Sequence, residues 1–505
     1  MSINAALDIA SSGILAVNNQ LAVVANNIAN QSTAAYATEV GNQSALNVDG
    51  IGMGVVSTAT TRDINLSLQD AVFSQNATVA GLNTQSTALS AIDDVSGTTG
   101  TGNDLPSLLG NLQDAFTTLS STPDSQADQA AVVNAASVLT SGINNISSTI
   151  TAQRQTAQSN IAANVTTLNN SLAQIGALNT QIVSNQAAAL STAALENQRD
   201  VSEQAISSIL DVKFVAGANG AVQVMTNSGL TLPTDGTQIE TSDATITANS
   251  TYPSDIPAIT MGGTDITQSL LGGSLGASIN LRDTVLPARQ AELDEFSEQL
   301  ATRFSAQGLN LFTDGSGNVP TAGSPTQTNY VGFSARIQVN PSVTTNVALV
   351  RDGTQSVTGS TSGASSFTTN TAGTADFSTL INRVLTYSFG DDIQSGVAQT
   401  SIPTSGLGSN GLLSVSYNPG DSLTSFVTAM SASDATAVTD TSSQLTSETD
   451  TQTNLQNQLS AGSAVSIDTQ MSNMVQLQNA YAANAKILTS VQSMWTDLFN
   501  AVNAS

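Results

Sequence analysis

Residues 1–30, MSINAALDIASSGILAVNNQLAVVANNIAN, carry Ile3, Leu7, Ala10, Ile14, Val17, Leu21, Val24 and Ile28 at alternating steps of four and three. That spacing returns to one side of an α-helix every two turns, so these residues form a single stripe, the seam of a coiled coil. The last forty residues repeat the rhythm through Ile467, Met471, Met474, Gln478, Tyr481, Ala485, Leu488, Gln492, Trp495, Phe499 and Val502. Two such seams at opposite ends of one chain predict two helices that pair.

Their outward faces carry almost no charge, where an ordinary surface helix has Lys, Arg and Glu. Residues 1–38 hold one charged side chain, Asp8, and residues 469–505 hold Lys486 and Asp497. Asn, Gln, Ser, Thr and Ala fill most other outward positions, which suits burial against neighbours. Residues 3–28 span roughly 40 Å at about 1.5 Å per residue, and most helical stability comes from packing. Both ends therefore read as segments that order when copies of the chain assemble.

Composition narrows the function. The 505 residues have a net charge of −26, with Lys213 and Lys486 the only lysines. A polyanion needs a basic stripe facing it, so nucleic acid and acidic membrane surfaces are poor partners. The sequence has no Cys and no His, which removes disulfides, thiolate chemistry, the usual general base and the commonest metal ligand. No continuous apolar run approaches the ~20 residues of a membrane span, and the N-terminus lacks the pattern of a cleaved secretory signal. Aromatics are 4% of the chain, so cores of small side chains are expected, as in rods.

The chain divides by pattern into eight segments: an N-terminal assembly helix (1–40), an extended link with four glycines (41–66), and a long helical rod (67–212) in which no proline occurs after Pro123. A small β-rich unit follows (213–273), its first hairpin marked by alternating Val212, Phe214 and Ala216, an Asn219–Gly220 turn, then Val222 and Val224. Next come a helix packing on the rod (274–307), a β-rich outer domain (308–420), a returning rod helix (421–462) and the C-terminal assembly helix (463–505). The fold class expected is mixed, mainly α: an elongated helical rod with paired terminal heptad helices and inserted β-rich outer domains.

Within the termini, Leu21, Val24, Asn26, Asn27, Ile28, Ala29, Asn30, Thr33 and Tyr36 resemble the N-terminal motif of the bacterial flagellar rod, hook and hook-associated axial proteins. That motif normally has Gly before the Tyr; Ala34 and Ala35 stand here, and Ala resists the left-handed backbone that Gly permits. Gln478, Ala480, Tyr481, Ala483, Asn484, Ala485, Lys486 and Ile487 resemble the family's C-terminal motif, and 178–182 (LNTQI) and 195–200 (LENQRD) resemble elements of its hook-associated branch. The resemblance implies a structural subunit of the flagellum that self-assembles as a tube at the hook tip, between hook and filament. It implies as partners the hook protein, the next hook-associated or filament proteins and a cytoplasmic export chaperone, with export through the flagellum's own pathway. A hook or distal-rod protein shares both terminal motifs, with the long helical middle as the discriminator, and an acidic surface fibre is a third reading.

Chemistry is poorly provided for, and no cofactor, metal or catalytic residue is expected. Gly272–Gly276 (GGSLG) fits the G-x-S-x-G nucleophile pattern, but Ser274 has no His to serve as its base. Asp314–Asn318 (DGSGN) hints at a calcium loop without its spaced acidic ligands. The Arg199–Asp200 pair reads as a solvated helix pair worth a few tenths of a kcal/mol.

Overall fold

The computed structural model describes residues 3–503 apart from 34, 49–50, 98–99, 101 and 324. Twelve helices carry the architecture: α1 (Ile3–Ala29), α2 (Leu66–Ser96), α3 (Leu105–Ser121), α4 (Gln126–Ala187), α5 (Ala193–Ile209), α6 (Gly273–Asn280), α7 (Leu286–Ala306), the short α8 (Pro341–Thr345), α9 (Leu349–Asp352) and α10 (Thr379–Arg383), then α11 (Leu423–Ser463) and α12 (Ile467–Asn503). Side-chain caps fix where the rod helices start, each accepting from a backbone N–H of the first turn: Asn65 from Leu68, Asp104 from Ser107, Ser125 from Asp128 and Ser422 from Ser425.

The rod is a bundle around α4, whose 62 residues span roughly 93 Å at about 1.5 Å per residue. Along one part of it, Val132, Leu139, Ile143 and Ile150 join a core with α3, α7 and residues 309–430. Farther on, Ile161, Leu168, Leu172 and Ile175 join a second core with α5, α6 and the 213–273 unit. α11 runs antiparallel to α2, its end at Leu459 beside Leu68 and its start at Met430 beside Ile92, and between them Gln75 donates to Glu448 at 2.7 Å and Gln452 to Asn76 at 2.8 Å.

Two three-stranded sheets make the 213–273 unit. Val212–Ala216, Val222–Thr226 and Thr231–Leu232 form one, in that order; Ile239–Glu240, Thr260–Met261 and Thr264–Asp265 form the other, all pairs antiparallel. Amides on α4 grip this unit by its backbone. Gln155 bonds Ala244 and Ile246, Gln158 bonds Ser242, Asn169 both donates to and accepts from Ile239, and Asn179 does the same at Val222. Buried Arg154 adds the carbonyls of Arg282, Thr247 and Ser250. Buried backbone groups that no neighbouring strand pairs are thereby satisfied.

Two expectations need revision. Residues 41–66 are folded rather than a bare link: Gln43–Val48 and Ile51–Ser57 pair as an antiparallel hairpin lying on α1, and Glu39–Val40 pairs with Thr61–Arg62. The described residues of 308–420 include six strands of two or three residues among turns and short helices, and their apolar side chains, Phe312, Tyr330, Phe333, Phe367 and Phe389, belong to the core of α3, α4 and α7. Helix α7 is buried all round from Gln290 to Glu298, acids included, because 308–420 wraps the side that α4 leaves open. Asp294 accepts from the Gly332 and Ser334 amides, the Ser334 hydroxyl and Gln290, and Glu295 accepts from Tyr330 and Gln327.

Burial pushes these carboxyls up: Glu298 to about 8, Glu292 to about 7 against the pull of Arg289, and Asp294 and α11's Asp434 to about 6 each. Groups whose folded pKa exceeds the unfolded value take up protons on folding. Their contribution to stability is greatest below the unfolded pKa of about 4–4.5 and declines as pH rises toward 8. Thermal unfolding followed by circular dichroism is therefore expected to show a midpoint that falls between pH 5 and 8.5, with Glu298→Gln flattening the upper part of that fall; a midpoint rising over this range contradicts the burial argument.

Candidate assembly surface

α1 and α12 pack antiparallel. Asn27 meets Gln470 through a hydrogen bond of 3.3 Å, and Asn484 lies against Gly13, where an added Cβ would come within 3.0 Å of its side-chain nitrogen. In both pairs the two residue numbers add to 497. The hairpin covers a second side of α1: Val55 N donates to Ser12 Oγ at 3.2 Å and Asn19 donates to Ser57 Oγ at 3.1 Å. Gly54, at φ +126°, admits this approach, since a Cβ there would stand 2.2 Å from Ser12 Oγ. α1 is long and apolar enough to cross a membrane by length and composition, its best window averaging a hydropathy of 1.2; scattered Asn and Ser interrupt that window, and here it packs on α12 and the hairpin.

The N-terminal seam splits by depth. Ala10, Val17 and Val24 are buried, Ile3, Ile14, Leu21 and Ile28 are half-buried, and Leu7 is exposed. The C-terminal seam requires correction, because most of its expected members are not the residues that face α1. Gln470 and Val491 are buried and Asn473, Leu477, Ala480, Asn484 and Leu488 half-buried, a stripe shifted by about one residue, or about 100° around the helix. Of the expected seam, Met474, Ala485 and Leu488 are half-buried, whereas Ile467, Met471, Gln478, Tyr481, Gln492, Trp495, Phe499 and Val502 are exposed. Periodicity selects the most apolar stripe; contact with a narrow partner bearing Gly13 and Ala10 selects small and polar residues instead. The larger apolar side chains are left facing outward, joined by Val475, Ile487, Met494 and Leu498.

A polar joint ties this pair to the rod. Asn27 is 1% exposed, and its amide uses all four of its hydrogen-bonding positions: the oxygen accepts from Tyr36 OH and Glu39 N at 2.9 Å each, and the NH2 donates to Glu39 O at 2.8 Å and to Gln470. Asn197, in the 195–200 stretch on α5, bonds both backbone groups of Ala37 and the Glu39 carboxylate. Glu39 pairs across the strand with Arg62, which reaches Glu196 at 2.9 Å and Asp200 at 2.5 Å; Gln69 of α2 shares Asp200. Thr38 N donates to the Ser463 carbonyl at the end of α11. Arg199 pairs with Glu203 at 3.1 Å rather than with Asp200, and all three are buried, so the solvated pair expected from sequence is corrected. Burial raises the Glu203 carboxyl to about 7, raises Asp200 against the pull of Arg62 and Gln69, and drives the Tyr36 phenol well above its ordinary value.

The other motif residues serve the end of α1. Asn30 donates to Asn26 Oδ1 at 2.9 Å and accepts from Thr33 at 3.2 Å, while Ala29 is exposed. Ala34 lies outside the described residues, but Ala35 adopts φ +58°, so the turn that glycine would ease is made by alanine. Ser274 is the second residue of α6, beside Gly273, where an added Cβ would sit 2.3 Å from the Ile209 carbonyl, so that glycine provides room for helix packing. Asp314 spends its Oδ1 on the Ser316 and Asn318 amides.

Removing Asn27 (Asn27→Ala) leaves buried Glu39 backbone groups without partners, a loss of about 3 kcal/mol, expected as faster hydrogen exchange in α1 and α12 than in α4. Ala35→Gly relieves a left-handed alanine and should stabilise by about 1 kcal/mol, read as a raised denaturation midpoint. Arg62→Ala, which strips the buried Asp200 of its principal cation, should cost about 3 kcal/mol or more, and unchanged stability would argue against the joint.

Comparison with known proteins agrees with this geometry. The model described as the flagellar hook-associated protein FlgK helical domain matches residues 89–318, and that described as the flagellar basal body rod FlgEFG protein C-terminal matches residues 456–501. No curated protein matches the chain. Among solved structures, the flagellar hook junction protein FlgK from Burkholderia pseudomallei is similar at 23% identity and a TM-score of 0.41, over 50% of this chain and 45% of that one. The match thus spans less than half of that protein's length. The helical middle of the chain is similar to the helical domain of a flagellar hook-associated protein, and its C-terminal helix to the C-terminal region of flagellar rod proteins.

Proposed function

We propose that this chain is a structural subunit of the bacterial flagellum which assembles with copies of itself at the tip of the hook and forms the junction on which the filament is built. One observation carries the reading. The terminal pair turns Met471, Val475, Tyr481, Ile487, Trp495 and Phe499 outward, on helices with almost no charge to hold water or repel a neighbour. Large apolar side chains exposed in that number mark an interaction surface, and their nearly uncharged surroundings suit packing among identical copies. The ordering of terminal helices within that array remains part of the reading.

The subunit acts as a packing element rather than an enzyme. Its neighbours in the assembly are the hook protein on one side and the next hook-associated or filament proteins on the other. Before assembly, the outward face of α12 is the stretch a cytoplasmic export chaperone would cover, and the chain leaves the cell unfolded through the flagellar export channel without a cleaved signal. A hook or distal-rod role is the second reading. The helical-domain match over 89–318 favours the hook-associated one.

A strain lacking the chain should build hooks without filaments, visible by electron microscopy, and labelled antibody should place the full chain at the hook end. Variants lacking residues 1–40 or 463–505 are expected to be lost from that position. Filament growth supported by a chain without both ends would refute the proposal, and absence of hooks in the deletion strain would favour the rod or hook reading.

A further inference from the structure

Within the polar joint, Glu203 on α5 is a buried carboxyl whose charge is poorly provided for. Its side chain is 6% exposed, and Arg199 Nε stands 3.1 Å from its Oε1 but out of line for donation, so that both atoms lack a hydrogen-bond partner. Arg199 spends Nη1 on Asn179 Oδ1 and the Gly220 carbonyl instead. Nearly one turn back, Asp200 is buried too, its Oδ2 accepting from Arg62 Nη1 at 2.5 Å and from Gln69 at 2.6 Å. The charged groups facing Glu203 are Asp200 and Arg199 on its own helix, Arg62 from the Thr61–Arg62 strand and Asp70 from α2. Glu196 takes a further share of Arg62, at 2.9 Å. Of the other elements packed on α5, α4 has no charged residue after Arg154, α6 has none, and Lys213 on the following strand faces Asp211. Two guanidiniums, Arg62 and Arg199, thus serve four carboxyls, Asp70, Glu196, Asp200 and Glu203.

We propose that Glu203 is a proton-operated latch: protonated, it leaves Arg62 on Asp200 and the terminal pair firmly seated on the rod, and ionised, it loosens that seat. A buried carboxylate without hydrogen bonds is costly, and burial, with Asp200 beside it, holds the Glu203 proton up to about 7. Once ionised, Glu203 repels Asp200 and competes with it for Arg62. Arg62 pairs across its strand with Glu39, whose backbone groups hold the Asn27 amide, so a weaker grip on Arg62 is passed to α1 and α12. Because the folded value lies above the ordinary 4.5, the latch supports the joint at low pH and loses its effect as pH rises through 7. Opening of the joint then becomes about tenfold more frequent at pH 8.5 than at pH 6. The buried acids of α7 act elsewhere, between that helix and its 308–420 cover. The inference concerns the single subunit and does not depend on where the chain assembles.

Hydrogen exchange of the full-length chain, followed by mass spectrometry from pH 6 to 8.5, tests the latch. Each rate is divided by the intrinsic exchange rate at that pH, and residues 161–182 of α4 serve as internal reference. Protection of α1 and α12 is expected to fall about tenfold against that reference, levelling off above pH 7. Glu203→Gln, neutral at every pH, should abolish the fall, and Glu298→Gln, in the α7 core, should leave it in place. A fall that persists in Glu203→Gln, or no fall in the unaltered chain, overturns the inference. Should Glu203→Gln fail to fold, Asp70→Asn replaces it, since Asp70 faces Glu203 from an exposed position. Removing that negative charge should make the fall set in at lower pH, and an unmoved onset overturns the inference.

Discussion

The amide of Asn27 is the interaction on which the arrangement of the terminal pair depends. A buried amide with four satisfied positions permits little movement, because sliding or rotating α1 would strand several polar groups at once. Its four bonds reach the turn after α1, the strand beyond that turn and the C-terminal helix 443 residues away in sequence. From that strand the constraint passes through Glu39 and Arg62 to Glu196 and Asp200 on α5 and to Gln69 on α2. The orientation of an otherwise apolar helix pair relative to the rod is thus fixed by directional polar contacts, which apolar packing alone could not specify.

The terminal pair divides its side chains in an uncommon way. Small and amide residues, Gly13, Ala10, Gln470, Asn473, Ala480 and Asn484, lie where the two helices meet or are at least half-buried, while Trp495, Phe499, Tyr481 and Met471 remain outside. Close helix approach is compatible with small residues, and the amides give that approach a register. The cost is an exposed apolar face that an isolated chain has no means of covering. A subunit designed for burial in a larger array would distribute its side chains in this way.

In the rod the polar groups do more than solubilise. Asn and Gln along α4 satisfy the backbone of a unit too small to complete its own sheets, and Arg154 serves the adjoining turn with three carbonyl contacts. The scarce aromatics are concentrated instead of spread: Phe116, Phe304, Phe312 and Phe389 pack edge to face or tilted in one core. That core draws α3, α7 and the 308–420 segment together on α4. A sparse complement of large side chains can secure a long bundle when it is placed where several elements cross.

Much of this could be read in the residues. The four–three rhythm placed α1, α12 and the long α4, the Asn219–Gly220 turn marked the hairpin of Val212–Thr226, and the C-terminal motif lies in the stretch that matches flagellar rod proteins. What the pattern could not supply was which stripe of α12 faces α1, that Arg199 and Asp200 are buried, and that the acids of α7 lie inside the core. Periodicity records how apolar a face is. Burial depends on which distant segments arrive to cover it: Arg62 reaching α5, the 308–420 wrap closing over α7, and Gly13 admitting Asn484. Those are contacts between residues far apart in the chain, and their geometry arises only when the backbone is folded.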